Sequence, residues 1–250
     1  MTDSDNAMEV IFLHGQPGQK EDFSPVYRWM DHRWPVVSLD RPGWGANPLG
    51  VIGIEANAWW VLAQLKEPQA VLIGHSLGAT IAVRAAQLDP ERVKGLILIA
   101  PPITQTSLVA VDRLLAARFF GAMTSALIAG VSLGPARRSQ FDRTRRSFLA
   151  EQRHLLGELR LVESELPKVR CPSVVVAGLR DRVVPLAAMA HAADRLPQAT
   201  LTVLPTADHD VLHSAPVLLA EVVRSMLARL RPLEEGSEGV AQNVAWVSNG

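Results

Sequence analysis

The stretch VLIGHSLGAT, residues 71–80, places a serine between two glycines directly after an apolar run. The residues before Ser76 are typical of a buried strand, and those after it have helical spacing. A sharp turn from strand to helix brings neighbouring backbone close, which favours glycine at positions 74 and 78. Such a turn presents the Ser76 hydroxyl as a nucleophile. Because GxSxG is a short pattern, the alternative is that Gly74 and Gly78 only allow tight packing.

Short apolar runs continue on both sides of this turn, and most are separated by segments with helical spacing. They are apolar throughout rather than at every second position, which favours a parallel sheet buried on both faces. The sequence therefore predicts an α/β fold with a doubly wound, mostly parallel six-stranded sheet and helices on both faces. The six runs are Glu9 to Leu13, Pro35 to Leu39, Ala70 to Ile73, Gly95 to Ala100, Ser173 to Ala177 and Thr200 to Leu204.

The charge balance of the 250-residue chain argues against a nucleic-acid or anionic membrane partner. Lys and Arg number 25, equal to Asp and Glu, so the formal net charge is zero. A neutral small-molecule or lipid-like substrate is therefore expected. The lone Cys171 excludes an internal disulfide, and the stretch MTDSDNAM lacks the features of a signal peptide, so a cytoplasmic location is expected.

Residues 101–167 interrupt the alternation of strand and helix and predict an inserted helical segment. The core is then residues 1–100 and 168–231, and residues 232–250, rich in Glu, Gly, Ser and Asn, are expected to form a mobile tail. Residues 119–136 carry no charge, but their glycines and proline favour a buried or lid helix over a membrane span. The second half of the insert is rich in arginine, which favours a solvated helix face over an anion or cofactor site.

The stretch FLHGQPG, residues 12–18, ends the first strand and can supply a partner for the serine. The backbone amide of Gln16 could join that of Leu77 in an oxyanion hole, and a cis bond before Pro17 suits so tight a loop. The alternative is an ordinary turn, with His14 packed and bonded to backbone.

Asp181 follows the fifth strand, where its carboxylate could orient an imidazole. It could equally cap the helix that begins near Pro185, or pair with Arg180 or Arg182.

His209 follows the sixth strand directly and is the preferred catalytic base. His213 lies four residues further on, a spacing that could serve a zinc site, but no HExxH pattern or cysteine cluster accompanies the pair. We therefore expect no metal, and we expect His213 to be packed at the start of the final helix.

Taken together, these motifs resemble the α/β hydrolase family, in its capped, serine-dependent group. The resemblance implies Ser76 as nucleophile, Asp181 as orienting acid and His209 as general base, with the amides of Gln16 and Leu77 as oxyanion donors. One departure is that the strand before HG starts almost at the terminus, where the family usually has a two-strand hairpin. The matching segments are HG at 14–15, DRPGWG at 40–45, GHSLG at 74–78, GLRD at 178–181, and His209.

The resemblance also implies a sheet order of 2-1-3-4-5-6, with strand 2 as an exposed edge or a homodimer contact. The insert corresponds in position to a helical cap that would govern substrate choice. A pocket between cap and sheet would be lined by the side chains of His14, His75, Trp44, Phe119 and Phe120. The alternative for Trp44 is an aromatic residue packed beneath the cap.

The expected activity is hydrolysis of an ester or related acyl bond of a small apolar or aromatic substrate through an acyl-enzyme, with no metal or organic cofactor. Thioester hydrolysis, carbon-carbon cleavage, amide cleavage and perhydrolysis stay open, because the same three residues could serve each of them. A second class of function is a ligand receptor, lyase or cyclase that retains the site.

Overall fold

A computed structural model of the chain describes residues 7–30, 34–104, 107 and 135–230. Six strands in these residues form one parallel sheet in the order β2-β1-β3-β4-β5-β6. The fold class and the strand order predicted from the sequence are thus confirmed. The strands are β1 (Met8–Leu13), β2 (Val36–Leu39), β3 (Gln69–His75), β4 (Val93–Ile99), β5 (Ser173–Gly178) and β6 (Ala199–Leu204).

Helices cover both faces of the sheet. Helices α2, α3 and α5 bury their apolar side chains against one face, and α1 and α7 pack against the other. Short 3-10 turns occur at Lys20–Phe23 and Leu166–Lys168. The helices are α1 (Ser24–Tyr27), α2 (Ile54–Gln64), α3 (Leu77–Leu88), α4 (Pro135–Ser164), α5 (Leu186–Arg195), α6 (Val211–Ser214) and α7 (Pro216–Leu230).

The central strands are apolar at most positions because both of their faces are buried, and the charged Glu9 of β1 is buried with them. In β1, Ile11 and Leu13 face the core beneath α2 and α3, whereas Val10 and Phe12 face the core beneath α1 and α7. The Phe12 ring stacks on that of Phe23, with ring centroids 4.5 Å apart. Successive side chains of a strand point to opposite faces, so a run without polar positions requires a helix layer on each side.

The expectation that β2 is an exposed edge is wrong. All four of its residues are buried, because the turn at Lys20–Phe23 covers this edge of the sheet. The hydroxyl of Ser38 donates to the carbonyl of Lys20 over 2.7 Å, and the Lys20 amide donates to the Asp40 carboxylate over 2.8 Å. At the opposite edge, Leu201 and Val203 of β6 expose 38% and 36% of their surface.

The described part of the insert is dominated by the long helix α4. Its last turns bury Leu155, Leu159 and Val162 in the core that α2 and α3 share. Arg143, Arg145 and Arg146 are exposed, in agreement with a solvated helix face. No helix among the described residues is both long and apolar enough to cross a membrane. Phe119, Phe120, most of the uncharged segment 119–136 and the tail at 232–250 lie outside the described residues.

Cys171 lies two residues before β5 and is the only cysteine of the chain. Its side chain is buried, and burial raises the pKa of the thiol to about 11. The thiol is therefore protonated at neutral pH, and a protonated thiol is neither a nucleophile nor a metal ligand.

Candidate active site

Ser76 stands at the turn between β3 and α3. Its φ of 50° and ψ of −124° lie in a region that side chains rarely adopt. Glycine is required on both sides, because a Cβ at position 74 would meet the backbone of Ala79, and a Cβ at position 78 would meet the carbonyl oxygen of Leu13. The strained turn and both close approaches correspond to the strand-to-helix elbow that the sequence predicts.

Three polar residues meet at this elbow, although Ser76 lies more than a hundred positions before Asp181 and His209 in the sequence. The Ser76 hydroxyl lies 3.2 Å from Nε2 of His209, and Nδ1 of His209 lies 2.9 Å from Oδ2 of Asp181. The Asp181 side chain is excluded from solvent, and its Oδ1 accepts from the amides of Val183 and Val184 at 2.7 and 2.9 Å. Asp181 thus contacts His209 as the sequence analysis expects, and its other oxygen holds the loop at Val183 and Val184. It does not cap the helix that follows, whose N-cap is Pro185 without a side-chain hydrogen bond.

The protonation of the His209 ring follows from these contacts. An ionised carboxylate only accepts, so Nδ1 carries the proton and donates it to Asp181. Nε2 is then left as the acceptor for the Ser76 hydroxyl. The ring is in the tautomer that a general base for serine requires.

The side chain of His75 contacts the backbone of His209. Its Nε2–H donates to the carbonyl oxygen of His209 over 2.9 Å, and the ring centroids are 5.3 Å apart. Burial, together with the neighbouring His209, lowers the pKa of His75 to about 4. A neutral His75 places no second positive charge beside His209 when that ring takes up a proton. The structure thus gives this predicted pocket residue a contact with the backbone of the base.

His213 is exposed and not packed at the start of the final helix. It belongs to the short helix α6, is exposed, and pairs with Asp210 at 3.0 Å between Nδ1 and Oδ1. Among the residues that the structure describes, His, Cys, Asp and Glu side chains form no cluster suited to a metal ion. The sequence expectation of a packed His213 is wrong because α6 turns that side chain to solvent.

The loop after β1 lies directly beside the nucleophile. A Cβ on Gly15 would come 3.0 Å from the Cβ of Ser76, so the backbone around Gln16 approaches the reacting hydroxyl. Leu77 is the first residue of α3, where backbone amides have no acceptor within the helix. The peptide bond between Gln16 and Pro17 is cis, as expected. These positions suit the two amides for an oxyanion hole.

His14 lies beneath this loop and not in a pocket. It is fully buried, its Nδ1–H donates to the carbonyl of Gly15 over 2.8 Å, and its Nε2 accepts from the amide of Arg41 over 3.1 Å. Burial first, and then the Arg41 charge, holds the pKa of His14 well below its ordinary value. The assignment of His14 to the substrate pocket is corrected, since neither ring nitrogen is free for a substrate.

Trp44 combines the two alternatives considered for it. Its ring is buried, 3% exposed, and packs edge-on to His14 with centroids 6.3 Å apart. It also lines a cleft of about 770 Å³ between the loop at Pro17–Gly18 and helix α4. Among the described residues, its indole Nε1–H has no hydrogen-bond partner. Trp44 is therefore a packed residue that also lines the cleft.

Sequence reasoning missed a buried ion pair beside the site, between Arg41 and Glu151. Arg41 lies within the DRPGWG stretch, and Glu151 lies in the arginine-rich half of the insert. Their side chains form an ion pair of 2.6 Å with almost no solvent exposure. Neither position stands out by composition, because charged residues in a loop and on a polar helix are normally exposed. A signal existed only in the spacing of Arg143, Ser147 and Glu151, which puts them on one face of α4.

Proteins of known activity resemble the chain over most of its length. A pimeloyl-[acyl-carrier protein] methyl ester esterase from Stenotrophomonas maltophilia is 30% identical, covering 91% of this chain and 96% of that protein. A 2-(acetamidomethylene)succinate hydrolase from Mesorhizobium japonicum is 24% identical, covering 87% of each.

Solved structures share the fold. A thermophilic esterase from Thermogutta terrifontis superposes with a TM-score of 0.66 at 21% identity, covering 89% of this chain and 90% of that one. The sequence pattern of the alpha/beta hydrolase family matches residues 10–222, which include the elbow at Ser76, Asp181 and His209. The chain belongs to the alpha/beta hydrolase family, and it is a hydrolase.

Proposed function

We propose that the protein cleaves an ester or related acyl bond of a small apolar or aromatic substrate through a covalent acyl-enzyme. The observation that carries the proposal is the continuous chain of contacts from Ser76 through His209 to Asp181. A serine hydroxyl is a weak nucleophile, and an adjacent base held in the correct tautomer activates it. Esterase names among relatives that match nearly the whole chain favour an ester over other acyl bonds.

Each proton in the proposed cycle has a place to go. The Ser76 oxygen attacks the acyl carbon while His209 takes the hydroxyl proton, and the carbonyl electron pair moves to the oxygen that faces the amides of Gln16 and Leu77. When the carbonyl reforms, the alcohol leaves with the proton from His209. Water then attacks the acyl-enzyme, His209 takes its proton and returns it to Ser76, and the acid leaves. Asp181 stays ionised throughout and stabilises the charged ring.

The substrate class is argued from the insert and from the charge balance. The first half of the insert, residues 108–134, is mostly apolar in sequence, and its place in the chain corresponds to the cap of related hydrolases. A cap of this composition favours an acyl or aromatic group held away from water. A formal net charge of zero gives no general attraction for a highly charged substrate.

The first test is covalent labelling of the folded protein with a fluorophosphonate. We expect stoichiometric labelling at Ser76, located by peptide mass, and no labelling of Ser76→Ala or His209→Ala. Ser164→Ala is the matched control, because Ser164 is an exposed serine at the end of α4 whose hydroxyl donates to the Leu161 carbonyl, away from His209. Absence of labelling on the folded wild type would reject an activated nucleophile at this site.

A panel of p-nitrophenyl esters, acyl thioesters and vinylogous diketones then sorts the chemistry. We expect turnover to be highest on short and medium acyl or aryl esters. Preference for the thioester or the diketone would move the assignment to thioester hydrolysis or carbon-carbon cleavage. Labelling without turnover on any of the three would favour a receptor, lyase or cyclase that retains the triad.

A further inference from the structure

Arg41 is the largest fully buried side chain in the described part of the molecule. It follows Asp40 in the loop after β2, and a guanidinium without solvent needs a hydrogen-bond acceptor at each nitrogen. Nε donates to the carbonyl of His14 and Nη2 to that of Gly15, each over 2.9 Å. Nη1 donates to Oε1 of Glu151 over 2.6 Å.

Two of these acceptors are successive carbonyls of the loop beside Ser76. The carbonyl of Gly15 belongs to the same peptide unit as the N–H of Gln16. Because a trans peptide unit is planar, with its C=O and N–H in opposite directions, fixing the oxygen fixes the direction of the N–H. A positively charged donor on that oxygen is stronger than a neutral one and polarises the whole unit, which strengthens the Gln16 N–H as a donor.

The same loop is held from a second direction by His14. Its Nδ1–H shares the Gly15 carbonyl oxygen with Arg41, and its Nε2 accepts from the Arg41 backbone amide. The two residues therefore bind each other and the oxyanion peptide in one closed set of contacts. A Cβ added at Gly15 would lie 3.0 Å from the Cβ of Ser76, so the loop passes close to the nucleophile. A small shift of Arg41 or His14 would therefore move the Gln16 amide relative to the acyl carbon that Ser76 attacks.

The third acceptor, Glu151, comes from the insert. It lies on α4, 110 residues along the chain from Arg41, and its side chain is 3% exposed. Its second oxygen, Oε2, is buried and has no hydrogen-bond partner within the part of the chain that the structure describes. A buried ion pair with an unsatisfied oxygen is a poor source of stability. Its geometric effect is clearer, because it ties the position of α4 to the guanidinium that holds the oxyanion loop.

We infer that Arg41 is a positioning residue for the Gln16 amide, and that Glu151 couples this position to helix α4 of the insert. The inference rests on the proposed function, since the Gln16 amide has a role only if Ser76 attacks an acyl carbon. On this inference, helix α4 affects how well the oxyanion is stabilised. It does not affect the contacts among Ser76, His209 and Asp181.

The test separates oxyanion stabilisation from substrate binding. Arg41→Lys keeps the charge but cannot reach three acceptors at once, and Glu151→Gln keeps the shape and removes the charge. Glu158→Gln is the matched control, because Glu158 also ties α4 to the core, by accepting from the Ile54 amide over 3.0 Å, away from the oxyanion loop.

For each variant, kcat and KM are measured on one p-nitrophenyl ester, together with the inhibition constant of an aryl trifluoromethyl ketone. The Ser76 oxygen adds to the carbonyl carbon of the ketone, and the serine proton passes to His209. The former carbonyl oxygen then carries a negative charge in the oxyanion site.

We expect Arg41→Lys to lower kcat about 100-fold, near the effect of losing one oxyanion donor, with KM changed less than twofold. The ketone should bind more weakly by a similar factor. For Glu151→Gln we expect about a tenfold loss in both quantities, and for Glu158→Gln less than twofold. If Arg41→Lys does not fold by circular dichroism, the comparison of Glu151→Gln with Glu158→Gln decides alone.

Two results would overturn the inference. In the first, Arg41→Lys and Glu151→Gln both change kcat and ketone affinity no more than Glu158→Gln does. The other is a rise in KM at constant kcat, which would assign Arg41 to substrate binding. Failure of the proposed function is recognised separately, because the wild type would then resist the fluorophosphonate.

Discussion

The two sides of the Ser76 site are built in different ways. On one side, His209 and Asp181 follow β6 and β5, and the backbone amides of Val183 and Val184 hold the carboxylate in place. All of these contacts arise within the sheet and its own loops. On the other side, the loop at residues 14–18 depends on Arg41, and that guanidinium depends in part on Glu151 of the insert.

This difference separates what the core determines from what the insert can influence. Among the described residues, the contacts of His209 and Asp181 lie within the sheet and its loops, and none of those given above involves α4. The oxyanion loop shares a charged contact with α4. On the inference above, we expect changes near Glu151 to affect transition-state stabilisation without moving the contacts among Ser76, His209 and Asp181.

The largest expected effect is on the core side. Asp181→Asn keeps the shape of the side chain but lets the His209 ring adopt the wrong tautomer, which should lower kcat about 10⁴-fold with little change in KM. The measurement is steady-state hydrolysis of a p-nitrophenyl ester. Asp210→Asn, at an exposed carboxylate paired with His213, should change kcat less than twofold. A loss below tenfold in Asp181→Asn would show that another group orients the base.

The second prediction concerns stability at Gly78, where α3 packs against the end of β1 and the loop that follows it. A Cβ on Gly78 would press on the carbonyl of Leu13 and come 2.6 Å from that of His14, and backbone in a central strand has little freedom to move. Gly78→Ala should therefore lower the free energy of unfolding by about 3 kcal/mol or more. Urea denaturation measures it. Gly50→Ala, where a Cβ would meet nothing within 4 Å, should change stability by less than a third as much.

The third prediction concerns how the stability of the protein depends on pH through His75, the neutral ring that contacts His209. The pKa of His75 is about 4 in the folded chain and about 6.5 when unfolded. The unfolded chain thus binds more protons between these values, so this contribution to stability is complete above about pH 6.5 and is lost as the pH falls through 4. We expect a loss of roughly 2 kcal/mol between pH 7 and pH 4 from this residue. His75→Gln should show a shallower decline in urea denaturation, and an unchanged slope would contradict the assignment.

The smallest effect tests whether α4 acts through its position or through its stability. Gly157 is an exposed residue of α4 with room for a methyl group. Gly157→Ala should raise the free energy of unfolding by about 0.5–1 kcal/mol through helix propensity. Because the contact between Glu151 and Arg41 is unchanged, kcat should stay within a factor of 1.5. A change in kcat that followed stability would argue against a purely geometric link.

The sequence predicts the core side of the site better than the loop side. The elbow, the acid and the base each follow an apolar strand, and parallel strands bring their carboxyl ends to one edge, so local patterns make Ser76, Asp181 and His209 candidates. The role of Asp181, which could equally be a cap or an ion-pair partner, follows from the family resemblance. The strand order follows from the family resemblance, and the structure confirms it.

The loop side depends on contacts that no local pattern shows. Arg41 and Glu151 are polar residues in polar surroundings of the sequence, and only the packing of α4 on the loop after β2 removes them from water. The covered edge at β2 was missed for the same reason, since the covering turn at Lys20–Phe23 is polar in sequence. Long-range burial of charged groups requires the assembled fold before it can be recognised.

The buried state of Cys171 has a practical consequence for following α4 in solution. A protonated thiol inside the core reacts slowly with maleimide reagents at neutral pH. A second cysteine, placed at the exposed position 157 as Gly157→Cys, would then carry a fluorophore or spin label alone, with the native residue left in place. Movement of the insert during turnover could be recorded from that single probe.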